Sequence, residues 1–139
     1  MKTNRFIAFV MAIACICLLA VPAFAAEAKA SDQITKYSIT VTPDTGSLKV
    51  KFSVNGTSIA SKIGCESIDV YKKSGSSWSL SESLDESDTG MSKKSALSHA
   101  NTITCDGVSG VEYKVVVTVF AENSAGRDTR TKTVYVTGK

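Results

Sequence analysis

The sequence predicts an all-β protein: a two-sheet antiparallel sandwich of about seven strands, set behind an N-terminal signal peptide. Three observations predict it. From Lys36 onward apolar residues recur with a period of two instead of about 3.6. Clusters of Gly, Ser, Asn and Asp punctuate that pattern at short intervals. The first 25 residues read as an export signal.

Lys2 and Arg5 give the signal its positive start, Phe6 to Val21 form an unbroken apolar run, and Pro22-Ala23-Phe24-Ala25 puts small residues where a signal peptidase reads. Cleavage is expected after Ala25. The apolar run is shorter than the roughly 20 residues that span a bilayer, and Ala12-Ile13-Ala14 before Cys15 lacks the leucine usual in a lipoprotein signal. Removing residues 1–25 from the 139 leaves 114, enough for one domain with a single core. The expected organisation is a short linker over 26–35 and a sandwich domain over 36–139. Lys2 and Arg5 leave with the signal, so 14 of the 16 basic residues remain against 13 acidic ones. That near-neutral balance gives no electrostatic footprint for nucleic acid or an anionic membrane. The protein is expected to be secreted and monomeric, without a membrane partner.

Tyr37, Ile39 and Val41 share one face of the first strand, which ends at the turn sequence Pro43-Asp44-Thr45-Gly46. In the second, Leu48, Val50, Phe52 and Val54 point one way and Lys49, Lys51 and Ser53 the other. Asn55-Gly56 is expected to turn the chain there, the sequon with Thr57 notwithstanding. Ile68 and Val70 mark a third strand. Ser74-Gly75-Ser76-Ser77 turns into a fourth with Trp78, Leu80 and Leu84. Asp85 to Ala100 is polar and weakly patterned, which predicts an ordered surface loop with a short helical turn near Lys93 to His99, or a mobile flap. Ile103 and Cys105 form a brief fifth strand. Tyr113, Val115, Val117, Val119 and Ala121 form a sixth, whose second face carries Val116 and Phe120; apolar residues on both faces predict a central position. Val134, Tyr135 and Val136 close the seventh.

Tyr113-Lys114-Val115-Val116-Val117-Thr118-Val119, followed by Asn123-Ser124-Ala125-Gly126, resembles the sixth strand and last hairpin of fibronectin type III domains. Thr102 to Val108 is similar to the strand before it, and Ile68 to Lys72 with Trp78 to the third and fourth. The resemblance implies a fibronectin type III or immunoglobulin-like sandwich. Phe52 stands where that family carries a tryptophan, and the 85–100 connection is longer than the family's. The chain also looks like small secreted proteins of Gram-positive bacteria. Cys65, Trp78 and Cys105 occur in the immunoglobulin order, but Ile103 occupies the tyrosine position two residues before the second cysteine, so the cysteine framework differs. A sandwich of this type hosts many roles and does not imply one.

Few residues invite chemistry. Cys65 and Cys105 remain after cleavage, and they are either a disulfide, favoured by an oxidising compartment, or two buried core thiols. The fibronectin-like register, which sets them toward opposite ends of opposing sheets, argues against a bridge. His99 is the lone histidine and lacks the surroundings of a catalytic base. Glu82, Asp85, Glu86 and Asp88 lack calcium-loop spacing and read as a solvated acidic turn. Trp78 and Tyr71 suggest a platform for a sugar ring, although the shared phase of Trp78 and Leu80 favours packing in the core or at a sheet edge. Gly126-Arg127-Asp128 has the wrong order for an adhesion tripeptide. No catalytic residue, cofactor or metal is expected. The expected function is a secreted, non-enzymatic module binding an extracellular protein or glycan through loops that present Asp85, Asp88, His99, Asn123 and Arg127. A structural or assembly role at the cell surface or matrix is the alternative, and a hydrolase comes third.

Overall fold

A computed structural model of the chain describes residues 32–139. The expected signal peptide over 1–25 and linker residues 26–31 lie outside the described residues. The described chain is all-β and antiparallel: β1 (Ile34–Asp44), β2 (Ser47–Ser74), β3 (Ser77–Asp85), β4 (Ser92–Asp106), β5 (Glu112–Asn123) and β6 (Gly126–Thr137).

The 28-residue strand β2 organises the sheet. Its first half pairs with β1 on one side, with Val41 opposite Val50, and with β4 on the other, with Val50 opposite Ile103. Its second half pairs with β5, with Ile68 opposite Val117, and with β3, with Ile68 opposite Leu84. β6 completes the row against β5. The expected second and third strands therefore run together. Asn55-Gly56 is a bend within β2 and no turn, because the Thr57 N–H finds the Gln33 carbonyl at 2.9 Å and pairing resumes at Ala60 after a register shift. The bend is crowded: a Cβ on Gly56 would lie 2.8 Å from the Ser58 carbonyl oxygen.

The period-two pattern delivers the core. Leu48, Val50, Phe52 and Val54 from the first half of β2, Ile63, Ile68 and Val70 from the second, and Val115, Val117 and Val119 from β5 are fully buried in one cluster. Each such side chain stabilises the fold by about 1.5–3 kcal/mol. β5 lies between β2 and β6, the central position its two apolar faces predict. The start of β5 is anchored by Tyr113, which is buried and accepts the Val108 N–H at 2.8 Å.

Other expectations fail as well. The 85–100 stretch is no loop or helical turn: β4 begins at Ser92, and only 86–91 connects it to β3. Backbone pairing to β2 forms this strand without an apolar stripe, and a left-handed Ser95 (φ 49°) followed by the register shift between Ala96 and Ser98 breaks any alternation. Along β3, a bulge between Val70 and Tyr71 changes the phase: Leu84 opposes Ile68 on the core side, while Leu80 opposes Tyr71 and is 58% exposed. The linker is also shorter than expected, since Ile34 and Thr35 already belong to β1.

Side chains cap the sheet edges. Buried Asp128 on β6 accepts the N–H groups of Gln33 (3.1 Å) and Ile34 (3.2 Å), and pairs with Arg130. Lys132 donates to the Ile39 carbonyl at 3.0 Å, and Glu82 on β3 accepts the Asp106 N–H at 3.0 Å. Backbone groups held by these side chains are blocked from pairing with another chain.

Candidate functional site

The outer face of β3, β2, β5 and β6 carries the richest group of exposed side chains. Register alone explains why they meet. Trp78 opposes Lys73, and Tyr71 opposes both Leu80 and Lys114, which in turn opposes Tyr135. Successive strands lie about 4.8 Å apart, so Leu80, Tyr71, Lys114 and Tyr135 form one continuous row, with Trp78 and Lys73 two residues along on the same face. The inward neighbours Val70, Tyr113 and Val115 are buried, which fixes Tyr71, Lys73 and Lys114 on the opposite face.

Trp78 does not pack into the core. Its ring lies 5.8 Å from that of Tyr135 at 56°, a tilted aromatic pair. Lys114 Nζ sits 4.4 Å from the Tyr71 ring centroid and 5.5 Å from that of Trp78, and Lys73 Nζ is 5.8 Å from Trp78. Such ammonium-over-ring contacts contribute about 0.5–1 kcal/mol each at exposed sites. Glu112 holds Lys73 at 2.5 Å. A groove of about 400 Å³ opens beside them, lined by Lys73, Trp78, Glu112, Tyr135, Val136 and Thr137 with the edge of Tyr113. Chemically, the face offers aromatic surface and ammonium groups, which suit a ligand with a flat apolar side and negative charge.

The residues expected to form binding loops are engaged in local structure. Asp85 and Asp88 share the turn after β3: the Asp85 carboxylate accepts the N–H and hydroxyl of Ser87, and Asp88 accepts the Asp85 N–H at 2.8 Å. The Ser87 bonds hold the Asp85 carboxyl below its ordinary range. His99 lies in β4 and no loop; its Nε2 is 2.8 Å from the Gly90 carbonyl, which also accepts from Asn101 at 3.0 Å. A carbonyl has no proton to give, so Nε2 carries the hydrogen. Asn123 accepts the Ala125 N–H inside the β5–β6 hairpin turn. Among the described residues no group of three His, Cys, Asp or Glu is placed to hold a metal ion.

Arg127 anchors a second cluster, at the hairpin end. Its guanidinium reaches Glu122 (2.6 Å), Glu66 (2.8 Å) and Glu86 (2.9 Å), and it covers the ring of buried Phe120 at 4.2 Å. Lys62 adds a contact to Glu86 at 3.0 Å. Burial opposes ionisation of Glu86, but Arg127 and Lys62 outweigh it and the carboxyl titrates below its ordinary range. The three carboxylates likewise outweigh burial at Arg127 and raise its pKa. This cluster ties β2, β6 and the 86–91 connection together.

Cys65 and Cys105 are free thiols, both buried. Cys65 Sγ contacts the carbonyls of Ser67 and Thr118 at 3.3 Å each. Burial pushes both thiols up to about 12. A thiol so protonated is a poor nucleophile.

Sequence reasoning raised Trp78 and Tyr71 as a platform but favoured packing for Trp78, and it missed Lys114 and Tyr135 beside them. Their signal was present in the second phase of the strands: Lys114 alternates with core valines, and Tyr135 stands between Val134 and Val136. Comparison with protein-family models, with curated proteins and with solved structures finds no match.

Proposed function

We propose that this chain is a secreted, non-catalytic binding module built as a fibronectin type III-like sandwich, and that it meets an extracellular partner on the outer face of β3, β2, β5 and β6. The sandwich reading treats the two halves of β2 as separate strands. The first half then joins β1 and β4 in one layer, and the second joins β3, β5 and β6 in the other. The Tyr113 hydroxyl bonded to the Val108 amide supports it, since a tyrosine corner of this kind belongs to such sandwiches.

One observation carries the functional reading: Trp78, the single tryptophan, lies on exposed Tyr135 above a lysine-flanked groove instead of packing inside the core. Exposed aromatic surface gathered in one place on a small domain marks an interaction site. A self-assembling structural role gains less support, because Asp128, Lys132 and Glu82 cap backbone groups at the edges of β1 and β4. The test is to probe arrays of glycans and extracellular proteins with the purified protein and with Trp78→Ala. Binding that Trp78→Ala abolishes is expected; no binding above background, or binding indifferent to the substitution, overturns the reading.

A further inference from the structure

Lys114 sets this face apart from a plain aromatic platform. Its ammonium lies over two rings, Tyr71 and Trp78, and among the described residues it forms no ion pair, whereas Lys73 beside it is paired with Glu112. An ammonium resting on rings has lost part of its water shell, and the π-clouds compensate its charge only in part. It therefore keeps an unsatisfied attraction for an anion, stronger than a fully hydrated lysine's. Tyr135, opposite Lys114 in register and 65% exposed, offers an aromatic surface one strand away. Lys73 and Glu112 cancel within the groove, so Lys114 beside it leaves one positive charge in excess at this end of the face.

We infer that this face takes an acidic saccharide, whose ring lays its C–H side on Tyr135 and Trp78 while its carboxylate or sulfate meets Lys114. The inference rests on the reading above that this is the binding face. Polarised C–H groups on one side of a pyranose meet the negative face of an aromatic ring favourably. The anionic substituent supplies the partner that Lys114 lacks, and Lys114 Nζ lies 5.5 Å from the Trp78 ring centroid, within the span of one sugar residue. A nucleic acid also stacks on aromatic rings, but it requires a basic track along its phosphates, and this chain, near neutral beyond Ala25, has none.

Trp78 is the only tryptophan, so its emission reports on the site directly. The test titrates the purified protein with heparin, which is sulfated; polygalacturonate, which is carboxylated; dextran, which is neutral; and single-stranded oligothymidine, each at low and high salt. The expected result is an emission change with one or both acidic glycans, weakened by salt, and the one that binds more tightly identifies the anion. Lys114→Gln should weaken that binding about tenfold, the size of one charge-assisted contact, and flatten its salt dependence. Equal binding of dextran, or an unchanged Lys114→Gln, removes the acidic ligand while leaving the binding face intact. Tighter binding of oligothymidine overturns the inference too. Trp78 emission unmoved by every glycan overturns the inference, and the binding face itself then stands or falls on the protein arm of the array test.

Discussion

The phenolic oxygen of Tyr113 lies 2.8 Å from the amide nitrogen of Val108 and accepts its proton across the turn between β4 and β5. Tyr113 is only 2% exposed while Val108 is exposed, so the bond is half-buried and ties a surface turn to a core ring. It sets where β5 starts, and thereby which residues of β5 enter the core and which, like Lys114, reach the outer face. Tyr113→Phe keeps the ring and leaves the Val108 amide without its partner; a loss of about 1–2 kcal/mol is expected, read as a lower urea midpoint at unchanged slope.

Asp128 is the most buried carboxylate among the described residues, and three groups depend on it: the amides of Gln33 and Ile34 and the guanidinium of Arg130. Asp128→Ala should cost about 3 kcal/mol, since it strands polar partners at a buried position. It should also release the start of β1. Hydrogen exchange at Ile34 should accelerate more than exchange at Val117, in the centre of the sheet.

The buried thiols make the fold sensitive to alkali. Below the ordinary thiol pKa of 9 they are protonated in both states, but above it the unfolded chain releases protons that the folded chain retains until about 12. A folded pKa that is raised thus gives stability present below pH 9 and lost between pH 9 and 12. At pH 10 the loss is on the order of 1 kcal/mol per thiol. Denaturant melts at pH 8 and 10 check the loss. Alkylation of Cys65 and Cys105 at pH 8, followed by mass spectrometry, should be negligible until denaturant is added.

Glu86 has the opposite sign. Burial works against its charge, but Arg127 and Lys62 win and hold its carboxyl below the ordinary 4.5. A depressed folded pKa contributes stability above pH 4.5 that is lost as pH falls through the lower folded value. Arg127→Gln removes the shared partner of Glu66, Glu86 and Glu122, so it should lower stability at pH 7 and flatten the fall toward pH 3. Thermal melts across that range measure both effects.

Much of the fold was legible because period-two burial leaves its mark directly in the sequence. Val115, Val117 and Val119 declare β5, and Leu48, Val50 and Phe52 declare the first half of β2. β4 was legible only from Ile103 onward. Between Ser92 and Asn101 it is mainly polar and partly exposed, held by backbone bonds to β2 that leave no apolar signature. The site was hidden by a single residue. The bulge at Val70 and Tyr71 puts Leu84 and Leu80 on opposite faces although both are an even number of residues from Trp78, and a bulge is invisible to counting. His99 and Arg127 stood out as polar residues in expected loops, yet each holds its neighbours together.

A ligand that lands on the strand face should leave the hairpin end and the turn after β3 alone. Backbone and side-chain NMR shifts of the isotope-labelled protein, followed while an acidic glycan is added, separate these surfaces in one titration. Shifts at the Trp78 indole, Lys114 and Tyr135 are expected, with Asp85, Asp88 and Asn123 unmoved. Shifts confined to Asp85, Asp88 and Asn123, with Trp78 silent, would place the binding surface on the loops and refute the strand face.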